Sequence, residues 1–156
     1  MRCFYYALRG VRRTVETQRN MRIHLAAAFY VLLAGAVCGI PAGQWCAVLL
    51  CIALVTALEC LNTAVEAVCD TITTEYSKTI ETAKDAAAGA VLCAAVLSAV
   101  VGAVIFFNGA CLGAALRFAK DHPLGAAAIV LTVPLWIRFI FRMRRTDPCP
   151  TSRKTQ

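Results

Sequence analysis

Glu59-Cys-Leu-Asn62-Thr-Ala-Val-Glu66-Ala-Val-Cys-Asp70 sets three acids and one amide into an otherwise apolar run. At roughly 100° per residue, positions 59, 62, 66 and 70 fall at about 0°, 300°, 340° and 20°, so a helix gathers all four polar groups on one narrow stripe. Upstream runs Trp45-Cys-Ala-Val-Leu-Leu-Cys-Ile-Ala-Leu-Val-Thr-Ala-Leu58, without a charge. The two segments read as one helix of Trp45–Asp70, longer than the ~20 residues that cross a bilayer. Glu59 is therefore expected at or just below a membrane surface, and Asp70 beyond it. A carboxylate at membrane depth costs about 3 kcal/mol or more, and such residues serve function by default.

The whole chain supports a membrane setting. Its 156 residues are 60% hydrophobic, with a mean hydropathy of +0.67, too apolar for an ordinary soluble domain and too short to add one. The net charge of +7 comes from basic residues flanking apolar segments, which favours anionic headgroups over nucleic acid. No basic face interleaved with aromatics argues for RNA or DNA. Cys38, Cys46, Cys51, Cys60, Cys69, Cys93 and Cys111 are scattered through apolar runs without Cys-x-x-Cys spacing, and read as small packing residues. Met1 to Gly39 has the outline of a signal peptide, but no small-residue cleavage motif follows and Val37 precedes Cys38, so the segment is expected in the mature protein.

Working outward, residues 4–22 place Phe4, Leu8, Val11 and Val15 at helical spacing among Arg9, Arg12, Arg13, Glu16 and Arg19. This is either an amphipathic helix lying on the membrane or a basic flank that orients the first span. The first span covers Ile23 to Ile40, with Gly35 and Gly39 spaced to admit a neighbouring helix. Pro41-Ala-Gly43 turns the chain, and Trp45 suits a membrane interface. Residues 71–83, polar and Thr-rich, read as a loop. A third span starts near Lys84-Asp85 and reaches Phe107; Thr82-x-x-Asp85 also fits a capping box at its start. Asn108 to Pro123 reads as a mixed polar connection, and Leu124 to Phe141 as a fourth span containing Pro134 and Trp136. The tail Asp147–Gln156 is expected to be disordered.

The division is thus a membrane domain over 1–107, a loop and extra span over 108–141, and a basic tail over 142–156. Arg2, Arg9, Arg12, Arg13, Arg19 and Arg22 precede the first span; the 71–85 loop adds Lys78 and Lys84; Arg142, Arg144, Arg145, Arg153 and Lys154 follow the fourth. The other side holds Arg117 and Lys120. Both termini and the polar stripe are expected at the cytoplasmic face.

Two carboxylates at this spacing with an amide between them suit a hard cation such as Mg²⁺, or one binds metal while the other takes a proton from a hydroxyl. Lys84 suits a phosphate. No G-x-x-x-x-G-K-[ST] loop, protein-kinase signature, H-E-x-x-H or G-x-S-x-G is present. The same acids also suit the ion path of a small oligomeric transporter or channel.

Glu59-x-x-Asn62-Thr-Ala-Val-Glu66-x-x-x-Asp70, followed by Ala83-Lys84-Asp85-x-Ala-Ala-Gly89-Ala-Val, closely resembles the signature of the prokaryotic diacylglycerol kinase and undecaprenol kinase family. Arg19-Asn20-Met-Arg22-Ile-His24 resembles the segment before that family's first span. The resemblance covers about residues 4–107. It implies an all-α integral membrane protein with a surface helix and three core spans, assembled as a homotrimer with composite sites between subunits in the bacterial cell membrane. It implies ATP as co-substrate with Mg²⁺, and a membrane lipid alcohol, undecaprenol or diacylglycerol, as acceptor. Glu59 is implied as the base, Asn62 as a positioning residue, Glu66 as the metal ligand, and Lys84 and Asp85 as nucleotide contacts, with Asp70, Arg19 and Asn20 in support. The family usually carries Glu at the place of Gln18, where it is a second metal ligand. Gln18 offers a carbonyl oxygen without charge, which leaves an inactive kinase-like scaffold as a further alternative. Ser77 stands where a His is common, and the fourth span lies beyond the three-span core.

Overall fold

A computed structural model describes residues 2–72 and 77–141. Six helices occupy them: α1 (Arg2–Thr17), α2 (Arg19–Cys38), α3 (Ala42–Ile72), α4 (Lys78–Phe106), α5 (Gly109–Asp121) and α6 (Pro123–Phe141). The described residues contain no strand. Four of the helices, α2, α3, α4 and α6, are long and apolar enough to cross a bilayer. The loop residues Thr73–Tyr76, the basic residues after Phe141 and the tail expected to be disordered lie outside the described residues.

The helices run up and down, with α3 and α4 packed together most extensively and α2 laid against α3, α5 and α6. Ile40, Val48 and Ile105 form the buried core at one end of the bundle, backed by Val31 and Trp45. The start of α2, the end of α3, the start of α4 and the end of α6 share the opposite end. Large apolar side chains such as Leu50, Leu61, Leu92 and Val104 remain exposed on the outer faces.

Several boundaries differ from the sequence expectation. The N-terminal helix does not run on to residue 22: Gln18 takes an extended conformation (φ −96°, ψ 120°) and breaks it into α1 and α2. Its N–H still closes α1 on the Thr14 carbonyl, so the elbow is a single residue. On α1, Phe4, Leu8 and Val11 stay exposed while Thr14 is buried. Next, α4 begins six residues early, with Ser77 at its N-cap. Thr82 lies inside the helix and its hydroxyl donates back to the Lys78 carbonyl at 2.8 Å, so it caps nothing and the capping-box reading fails. The segment read as a connection over 108–123 is largely α5. Asn108 caps it by accepting from the Cys111 N–H at 2.9 Å, which outweighs the two glycines that suggested a loop.

The two glycines of the first span do different jobs. A Cβ on Gly35 would lie 2.9 Å from the Trp45 ring, so Gly35 admits α3's indole. Gly39 instead ends α2 in the left-handed region at φ 62°. At this end the Cys38 thiol donates to the Cys111 carbonyl at 3.8 Å, and every cysteine among the described residues is free.

Candidate functional site

The polar stripe of α3 emerges gradually. Glu59 is only 1% exposed and Asn62 6%, Glu66 is half-buried and Asp70 exposed. Helical periodicity alone puts them on one face; the packing of α2 over its first half makes the gradient. Neither carboxylate oxygen of Glu59 has a hydrogen-bond partner among the described residues, nor does the Asn62 Oδ1. The backbone N–H of Met21 is directed at the Glu59 carboxylate, though without hydrogen-bond geometry to either oxygen. Met21 lies in the first turn of α2, where N–H groups have no intrahelical acceptor and the helix dipole presents its positive end. That field is what the fold offers against the cost of burying this charge.

Glu66 is held by two amides. Gln18 Nε2 donates to its Oε2 at 2.9 Å and Asn62 Nδ2 to its Oε1 at 3.1 Å. Gln18 reaches α3 because the elbow leaves its side chain without a capping role toward its own helix. One turn further along α3, Asp70 pairs with Lys84 Nζ at 2.5 Å, joining the ends of α3 and α4 across the residues of the connection. Asp85 is exposed and meets none of these groups. Arg19 turns away, its guanidinium 4.5 Å from the Phe141 ring centroid.

Glu59, Asn62, Asn20 and His24 line a cleft of about 230 Å³ between α2, α3 and α4, walled by Val91 and Leu92. His24 and Ala95 also line an apolar groove of about 190 Å³ that continues along the bundle past Val48, Val55 and Gly102. Such a pair, a polar cleft opening into an apolar groove, has the shape and lining for a polar group carried on a hydrocarbon chain. The fold therefore brings together Glu59, Asn62, Asn20, Glu66 and Gln18, with Lys84 and Asp70 beside them at the outer end, and leaves Asp85 and Arg19 apart. Sequence reasoning missed two contributors. His24 was legible only as part of a quoted motif, and Arg22, 8% exposed, only as one more positive charge on a flank.

Residues 5–106 match the family model described as prokaryotic diacylglycerol kinase. The chain is 42% identical over 103 residues to a Bacillus subtilis (strain 168) protein named undecaprenol kinase, covering 66% of this chain and 84% of that one. It is likewise 42% identical over 100 residues to a Synechocystis sp. protein named diacylglycerol kinase, covering 64% of this chain and 57% of the relative. No solved structure matches.

Proposed function

Because the chain belongs to the prokaryotic diacylglycerol kinase family and is a multi-pass membrane lipid kinase of that type, we propose that it moves the γ-phosphoryl group of ATP to the hydroxyl of undecaprenol or diacylglycerol. The observation that carries this reading is Glu59: a carboxylate buried to 1% exposure, with both oxygens unpaired, facing a cleft that opens into an apolar groove. A carboxylate whose oxygens are both free toward a cleft is placed to take a proton from a hydroxyl that enters it, as a general base must be.

In this mechanism the lipid chain lies in the groove and its hydroxyl reaches Glu59. The carboxylate takes the hydroxyl proton as the lipid oxygen forms its bond to the γ-phosphorus; the bond to the β-phosphate oxygen breaks and ADP leaves. Asn62 Oδ1, also a buried side-chain acceptor without a partner among the described residues, orients the hydroxyl. Lys84, paired with Asp70, holds a phosphate at the watered end, while Asp85, apart from these groups, is left without a role in the transfer. Positioning and electrostatics supply most of such a reaction.

The donors also fit Mg²⁺ arriving on the nucleotide. Glu66 offers a carboxylate and Gln18 an amide carbonyl, while the described residues hold no group of three or more ligand side chains. Magnesium is commonly held by one or two carboxylates and completed by substrate phosphates. When bound it would supply positive charge against that of the phosphates. Glu66 would hold it through its carboxylate and Gln18 through its amide oxygen, in place of the N–H that meets Glu66 in the structure.

The site faces the cytoplasm in this reading, with both termini on that side, and the exposed apolar faces of α3 and α4 suit packing in a homotrimer. The experiment is to incubate purified protein in lipid nanodiscs with γ-labelled ATP and each lipid in turn. Label is expected in a phosphorylated lipid. Label in neither lipid, with the protein folded, refutes the reading.

A further inference from the structure

The last helix ends at the site, and its attachment there is specific. Tyr30 and Thr132 hydroxyls meet at 2.8 Å, Phe29 packs against Trp136 with the rings tilted by 45° and centroids 5.6 Å apart, and Arg22 Nη1 donates to the Phe139 carbonyl at 3.2 Å. These pairs ascend α2 as they descend α6, so the two helices are antiparallel. Phe139 lies two residues before the end of the described part of α6. Arg19 and Arg22 sit at the start of α2, an unfavourable place for cations on their own helix. α6 gives Arg22 a carbonyl and Arg19 the face of the Phe141 ring.

Arg22 has a second job. Its Nε donates to the Gln18 carbonyl at 3.4 Å, and Gln18 is both the α1–α2 elbow and a donor to Glu66 at 2.9 Å. A continuous path of polar contacts therefore runs from the Phe139 carbonyl through Arg22 and Gln18 to Glu66. The family match stops at residue 106, so α6 lies outside the matched segment.

We propose that α6 is a positioning element for nucleotide binding, acting through Arg22 on Gln18 and hence on Glu66. Arg22 is the positioning residue: its planar fork bridges two carbonyls from different helices, which the point charge of a lysine does not reproduce. When α6 is seated, Gln18 is held where its amide reaches Glu66. When α6 loosens, the elbow gains freedom and the nucleotide end of the site loses order, while the lipid cleft, built from other residues of α2, α3 and α4, is untouched. This inference rests on the assignment of Glu66 to nucleotide and cation binding.

The test is a double-mutant cycle on the full chain in nanodiscs, with Mg·ATP binding measured by calorimetry and half-saturation measured separately for Mg·ATP and lipid. Trp136→Ala, which touches no site residue, is expected to weaken Mg·ATP binding by about threefold to tenfold, the scale of one hydrogen bond, and to leave half-saturation by lipid unchanged. Arg22→Lys is expected to do the same. In a Gln18→Ala background, Trp136→Ala is expected to add nothing. Additive effects, or equal shifts for nucleotide and lipid, overturn the proposal. So does unchanged nucleotide affinity in both Trp136→Ala and the milder Thr132→Val, even if their melting temperatures fall, because α6 would then only cover α2. If the parent binds no Mg·ATP, the assignment of Glu66 fails first and the proposal with it; a parent that binds but shows an additive cycle refutes the proposal alone.

Discussion

Replacing Gln18 with Glu tests the candidate metal end of the site most directly. Gln18 now donates to Glu66 Oε2 at 2.9 Å; a carboxylate in its place turns an attractive contact into a repulsive one. With charge centres about 4 Å apart and an effective dielectric near 20, the repulsion is about 4 kcal/mol, partly relieved by retaining a proton on one of the two acids or by side-chain movement. A divalent cation between them reverses the sign. Two consequences follow. Without Mg²⁺ the variant should melt below the parent, and adding Mg²⁺ should raise its melting temperature more than the parent's. In the labelled-ATP assay the Mg²⁺ concentration at half-maximal rate should fall by about tenfold, corresponding to roughly 1.4 kcal/mol of that repulsion recovered as cation affinity, with turnover equal or greater. Superimposable Mg²⁺ titrations and equal melting temperatures in chelator would show that residue 18 is not beside the cation. Lipid phosphorylation by the parent would exclude the inactive scaffold.

Glu59→Gln should cut turnover by about 10²-fold, the scale of losing a general base, while Mg·ATP still binds. Because it removes a buried, unpaired charge, the melting temperature should hold or rise; near-normal turnover would remove the base assignment. Gly35→Ala puts a Cβ 2.9 Å from the Trp45 ring and should cost about 1–3 kcal/mol through overpacking, read as a melting temperature about 2–12 °C lower; an unchanged value would mean that the indole shifts freely. A reporter fused after Gln156 should be cytoplasmic, since α6 returns the chain to the end of the bundle that holds Arg22 and Glu66; an external reporter would mean that α6 does not cross.

The stripe on α3 was legible because helical periodicity is local: Glu59, Asn62, Glu66 and Asp70 share a face in any helix, and a long uncharged run before them announces burial at one end and emergence at the other. The long apolar helices were legible for the same reason. The elbow at Gln18 was not, because Glu16 to Arg22 contains neither Pro nor Gly and would continue a helix by propensity; the break is set by α3, to which Gln18 commits its side chain. The start of α4 was misplaced because Thr82 and Asp85 have the chemistry of a cap, and α5 was read as a connection because its glycines spoke louder than Asn108. Which of the site residues actually touch was a tertiary decision. Gln18 and Glu66 are 48 positions apart, and Arg22 and Phe139 are 117. No periodicity couples such positions. Their pairing depends on helices of particular lengths packing antiparallel, so that the first turn of α2, the last turns of α3 and α6 and the first turns of α4 all come to the same end of the bundle.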